Sequence, residues 1–185
     1  MLVSQLYKIK LLEKVKTKYV LYLSDNFILY NCDTNKINDI LSWLDTNNYD
    51  SVQLHIQPND LPNISISKDI NVFEIKDSNY PFSFLPSIWK NQSILKAYES
   101  IPHASYREVE GSLMEYMNKN CRVFRLKDVD QEKVKSWDSE MENWFINLHL
   151  LHGRKWVIPT PLKGLYMNIL QEYNIDTNTL GTVDR

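Results

Sequence analysis

Asp25 stands just past a β-branched and aromatic run, Tyr19-Val20-Leu21-Tyr22-Leu23. A carboxylate there is fixed in direction by the strand behind it and open to solvent. Carboxylate oxygens suit hard divalent cations such as Mn2+ or Mg2+, and Asn26 could add a carbonyl oxygen. An Asp at a strand end is also a good turn or cap residue. Glu108 and Glu110 lie where a helix is predicted to start. Two residues apart on a helix, they do not face the same way, so at most one can serve a bound molecule as general base. Both also fit the helix macrodipole as first-turn acids. Ser105 sits three residues before Glu108, a capping-box spacing, which leaves Glu110 as the functional candidate. Late in the chain His149, His152, Arg154 and Lys155 gather within seven residues. Trp89, with Ser87 and Phe84 before it, could shape a ligand wall, although a Trp in this setting is more often core.

The elements that must position these residues are readable from periodicity. Leu6, Ile9, Leu12 and Val15 predict an amphipathic helix over Ser4–Lys16, followed by a buried strand over Tyr19–Leu23 that ends in the polar turn Ser24-Asp25-Asn26. A helix follows over Asn35–Asn47, with Asp33 and Asp39 on the intervening turn and the helix, then a strand through Val52, Leu54 and Ile56. Pro58–Ser67 reads as a loop. Further strands are predicted over Ile70–Ile75, Phe82–Ile88 and Cys121–Leu126, and helices over Gln92–Ser100 and Arg107–Asn118. Asp128–Asn143 reads as mostly helical, Trp144–Leu151 as helix or strand, and Lys163–Tyr173 as a last helix before a polar tail beginning after Ile175. Mixed helices and strands without a linker predict one α/β domain spanning residues 1–185.

Bulk properties narrow the function classes. A hydrophobic content of 43% with 24% charge is globular rather than disordered. A net charge of −2 supplies no general field for nucleic acid. Cys32 and Cys121 lack CxxC spacing, which argues for half-buried or buried free thiols in a reducing compartment rather than for zinc or a disulfide framework. The N-terminal run has charges throughout and does not read as a signal peptide, and no stretch approaches the length of a membrane span. The expectation is a cytoplasmic protein. Neither GxGxxG, GxxxxGK[ST] nor GxSxG occurs, so the phosphate-loop, dinucleotide and serine-hydrolase readings fall away.

Three segments together resemble GT-A-type glycosyltransferases of the family-2-like kind. KVKTKYVLYLSDNFIL resembles the strand that delivers the DxD-type metal motif, although a single Asp25 replaces two or three acids. YPFSFLPSIWKNQSIL resembles the S-x-Q-P-x-I-W segment, and SYREVEGSLMEYM takes the place of W-E-F-E, in which a glutamate at a helix start faces the acceptor. LLHGRKW is a fainter echo of the kGkW stretch near the domain end. The resemblance implies a partial GT-A (Rossmann-like) mixed sheet flanked by helices. It further implies transfer of a sugar from a nucleotide-diphosphate donor to a glycan or other hydroxyl acceptor, with inversion. Glu110, or Glu108, would be the base. Asp25 with His152 would hold Mn2+ or Mg2+, Arg154 and Lys155 would meet the diphosphate, and Trp89 and Ser87 would line the acceptor side.

The same resemblance implies a nucleotide-binding region ahead of the acidic motif, where this chain offers one predicted helix. The expectation is a family member lacking most of its nucleotide-binding half, as a fragment, as one chain of an assembly, or as a degenerate relative. A sheet so shortened has an unpaired edge, which a second copy or another chain would complete. The alternatives to a glycosyltransferase are an inactive relative serving as an interaction module, and a different α/β enzyme such as a nucleotidyltransferase, which would need a second acid beside Asp25.

Overall fold

The computed structural model describes residues 3–23, 27–56, 61–76, 80–101, 108–127, 145–149, 151–152, 155–158, 163–172, 174, 176 and 182–184. Among them the chain runs α1 (Val3–Lys14), β1 (Tyr19–Tyr22), β2 (Phe27–Cys32), α2 (Thr34–Asn47), β3 (Ser51–Ile56), β4 (Ile64–Ser67), β5 (Ile70–Ile75) and β6 (Ser87–Lys90). It continues through α3 (Asn91–Ser100), α4 (Val109–Asn120), β7 (Val123–Lys127), β8 (Phe145–His149), β9 (Leu151–His152), β10 (Lys155–Ile158), α5 (Lys163–Glu172) and β11 (Thr182–Asp184). The architecture is mixed α/β in one domain. Its centre is a six-stranded sheet in the order β1-β6-β3-β7-β5-β4.

Local chemistry explains why the helices start and stop where they do. The Asp33 carboxylate caps α2, accepting from the backbone N–H of Asn35 at 2.9 Å. Asn48, in the left-handed region at φ 53°, ends it, and the Tyr49 N–H then returns to the Leu44 carbonyl at 2.9 Å. The side-chain amide of Asn91 donates to the Leu12 carbonyl at 3.1 Å near the end of α1. Asp50 ties three elements together. Its carboxylate accepts from the Ser93 hydroxyl of α3 at 2.5 Å and from the Arg122 N–H ahead of β7 at 2.8 Å, and its carbonyl accepts from the Lys90 N–H at 2.7 Å.

Strand alternation sorts the core onto the two faces of the sheet. On one face Ile40 and Leu44 of α2 pack with Val52, Leu54, Val72, Ile88, Phe124 and Leu126. On the other, Leu12 of α1, Ile94 and Tyr98 of α3 and Leu113 and Met117 of α4 close over Phe73, Ile75, Trp89 and Val123. Two smaller ribbons complete the described structure: β2 with β8, and β9-β10-β11. Leu29 and Cys32 of β2 pack against the α2-side cluster.

Several expectations change. The strand at Tyr19 is a half-buried edge strand rather than a buried one, because β6 alone pairs with it among the described residues. Phe27–Cys32 is a strand where none was predicted, and Ile64–Ser67 pairs with β5 inside the predicted loop. The predicted strand at Phe82–Ile88 forms only from Ser87, since Pro81 and Pro86 lack the N–H a ladder needs. Part of the tail adds to β10 as the parallel strand β11. Within the predicted Trp144–Leu151 segment the described residues are strand, in β8 and the start of β9. The predicted helix over Asp128–Asn143 lies outside the described residues. Both cysteines are free and half-buried. Among the described residues no helix is long and apolar enough to cross a membrane.

Candidate functional site

Strand direction defines the site. β1 and β3 each run antiparallel to β6, and β7 runs parallel to β3. The carboxyl ends of β1, β3 and β7 therefore share one edge of the sheet, where β6 begins. Register then aligns Tyr22, Ser87, Gln53, Arg125 and Phe73 as successive Cα partners across five strands.

The 80–86 segment lies over this row. Tyr80, with φ 55°, adopts a conformation that aromatic residues rarely take. Its carbonyl is held by two donors, the Gln53 side-chain amide at 3.0 Å and Arg125 Nη2 at 3.1 Å. Gln53 Oε1 accepts from Arg125 Nε at 2.7 Å. Burial, which disfavours the charged form, lowers the Arg125 guanidinium to about 10. His55 follows Gln53 on the same strand face. Burial first, and the Arg125 charge second, push its imidazole down to about 3, and its Nδ1 is enclosed without a hydrogen-bond partner. The alternation of Val52, Leu54 and Ile56 predicts the strand but does not tell what Gln53 and His55 between them will meet. The available signal was the matching alternation in Val123–Lys127, which lets two polar rows meet across parallel strands.

Phe82 and Phe84 carry the row toward the helices. The Phe82 ring lies 6.1 Å from Tyr22, 5.5 Å from Phe84 and 6.0 Å from Trp89. Burial raises the Glu110 carboxyl, in the first turn of α4, above the ordinary carboxylate range, and the nearby Phe84 backbone opposes part of that rise. Glu108 is the exposed N-cap residue of the same helix, while Glu110 is half-buried. From α1, Lys8 Nζ donates to the Tyr22 hydroxyl at 3.2 Å and lies over the rings of Phe84, Tyr98 and Tyr22 at 5.0, 5.5 and 5.8 Å. The Tyr22 and Tyr98 hydroxyls share a hydrogen bond at 3.0 Å. Burial raises the Tyr98 phenol, and the Tyr22 neighbour adds to the effect.

The remaining candidates divide. Trp89 is fully buried, with Nε1 donating to the Ser87 hydroxyl at 2.9 Å, and Ser87 is buried with it. Their side chains are core under the Phe82 loop and do not form an acceptor wall. Asp25, Asn26, Ser105 and Arg154 lie outside the described residues. His152 pairs with Lys155 between β9 and β10. His149 takes a different place: it is the Cα partner of Phe27, two residues past Asp25. Asp33 is occupied as a helix cap, and Asp39 borders an open depression with Trp43 and Ile66 on the α2 side. Among the described residues no three His, Cys, Asp or Glu side chains gather to hold a metal. The chain matches no model of a known protein family and no curated protein sequence.

Proposed function

We propose that the chain is a glycosyltransferase-like domain in which Glu110 is the general base for a hydroxyl acceptor and Asp25 anchors a divalent metal on the donor diphosphate. The observation that carries the reading is the path from Glu110 through Phe84 and Phe82 to Tyr22, three residues before Asp25. It brings the helix-start acid to the sheet edge where β1 ends, and Asp25 follows β1 in the sequence. A half-buried carboxyl with raised proton affinity suits a base that must take a hydroxyl proton near neutral pH. Lys8 adds a positive charge over the same aromatic group.

The metal role in this reading draws a late histidine from the separate β2–β8 ribbon. His149 is the Cα partner of Phe27 across β2 and β8, while His152 pairs with Lys155, so His149 is the late histidine whose backbone partner lies closer in sequence to Asp25. A carboxylate with one imidazole is a donor set for a divalent transition metal such as Mn2+, while Mg2+ favours oxygen throughout. When bound, the metal would neutralise the departing diphosphate. The residues of the chain would orient the acceptor and hold its proton at a Glu110 carboxylate oxygen. Calorimetry with UDP-, GDP- and dTDP-sugars in the presence of Mn2+ tests the reading. Metal-dependent heat that disappears in Asp25→Ala is expected, and no heat with any donor rejects it for this chain alone.

A second reading, a non-catalytic interaction module, is favoured by the sheet edge. β1 pairs with β6 alone among the described residues, and Leu21 on it is 42% exposed. An edge strand of this kind accepts another strand. A stable oligomer whose assembly ignores Asp25→Ala and Glu110→Gln would favour it.

A further inference from the structure

The outer side of α1 is unlike the rest of the described surface. Large hydrophobic side chains are exposed at only a few places, and Leu6 (37%), Tyr7 (64%), Leu11 (46%) and Leu21 (42%) fall within one short stretch. The same stretch concentrates positive charge. Residues 1–18 hold Lys8, Lys10, Lys14, Lys16 and Lys18 against the one acid Glu13, in a chain whose net charge is −2, so the remainder is acidic. Two of these lysines are engaged: Lys8 turns inward over the Phe84, Tyr98 and Tyr22 rings, and Lys18 pairs with Asp45. Lys10, Lys14 and Lys16 are exposed.

Helix geometry shows how these groups are arranged. At about 100° per residue, Leu6, Tyr7, Lys10, Leu11 and Lys14 all fall in the half of α1 opposite the buried Leu12. The inner half is already committed, with Leu12 buried and Ile9 packed against the α3–α4 cluster. A water-facing helix side gains nothing from Leu6, Tyr7 and Leu11. Alternating them with lysines suits a surface that is apolar a few ångströms down and negatively charged above, which is the interface of an anionic bilayer. An acidic protein would answer the charge, yet it would not by itself account for aliphatic and aromatic groups between the lysines.

We infer that the outer face of α1 is a peripheral docking surface for anionic lipid bilayers, with Tyr7 and Leu11 entering the interface and Lys10 and Lys14 meeting headgroup phosphates. The inference stands apart from the proposed chemistry at Glu110.

Co-sedimentation of the full chain with vesicles tests it, using phosphatidylcholine alone and phosphatidylcholine mixed equally with phosphatidylglycerol. Binding is expected only to the mixed vesicles, weakening as salt is raised, because each lysine near such a surface contributes roughly a fivefold factor. Lys10→Glu with Lys14→Glu, and separately Tyr7→Ser with Leu11→Ser, should each lower binding at least about tenfold. Unchanged circular dichroism would show that both pairs fold, and the salt dependence of the unaltered chain is read without any variant. Equal binding to neutral vesicles, or none to anionic ones, overturns the inference. So does a dimer in solution that these same substitutions dissociate, which would assign the face to a second copy.

Discussion

The Phe84 backbone lies near the Glu110 carboxylate and offsets part of the rise that burial gives it, so the loop over the sheet edge meets the first turn of α4 at this acid. If Glu110 is the base, Glu110→Gln should cut turnover by about 10²–10⁴-fold while leaving donor binding intact. The rate should rise with pH through a value above the ordinary carboxylate range, because burial keeps the proton on. Stability should move the other way. A raised carboxyl contributes most below its unfolded value and loses that contribution as pH rises through the folded one. Thermal melts should therefore favour Glu110→Gln over the native chain at neutral pH, with the advantage gone in acid.

His55 should be an acid-sensitive point of the fold. Its imidazole is lowered to about 3 by burial and then by Arg125. A depressed histidine contributes stability above its unfolded value, near 6.5. That contribution is lost as pH falls toward the folded value. Urea melts between neutrality and pH about 4 should lose on the order of a few kcal/mol in the native chain. His55→Gln should flatten the slope. An unchanged slope would mean that the ring reaches water.

Gln53 should matter more than its polarity suggests. Its side chain accepts from Arg125 Nε and donates to the Tyr80 carbonyl, both under the loop. Gln53→Leu removes both bonds beside a buried charge and should cost about 2–4 kcal/mol in chemical denaturation. Denaturation identical to the native chain would show that the row is not a structural tie.

Trp89 separates core from acceptor site. With the ring fully buried, Trp89→Ala should destabilise by about 3–5 kcal/mol. Trp89→Phe should cost less, since a ring contact with Phe82 survives while the Ser87 hydroxyl loses its donor. A change in acceptor KM without loss of stability would return Trp89 to the surface.

Much of the helical and strand layout was legible because its signals are local. Ile37, Ile40, Leu41 and Leu44 repeat with the helix period, and α2 forms there with Ile40 and Leu44 fully buried. Ile70, Val72, Phe73 and Ile75 marked β5 by β-branched and aromatic content alone. The two glutamates two residues apart differ in the fold in their exposure, Glu108 being exposed and Glu110 half-buried. Phe27–Cys32 and Ile64–Ser67 were not legible, since their strand state depends on partners distant in sequence, β8 in one case and β5 in the other.

Side-chain type and periodicity are properties of the chain alone, and they set which residues could bear charge or bind metal and which stretches could bury a face. Tertiary structure decided their company. Only strand pairing could bring Gln53 to Arg125, set His149 opposite Phe27, and bury Trp89 beneath Phe82. Register is chosen by the packing of both sheet faces at once, and no local window of the sequence contains that sum.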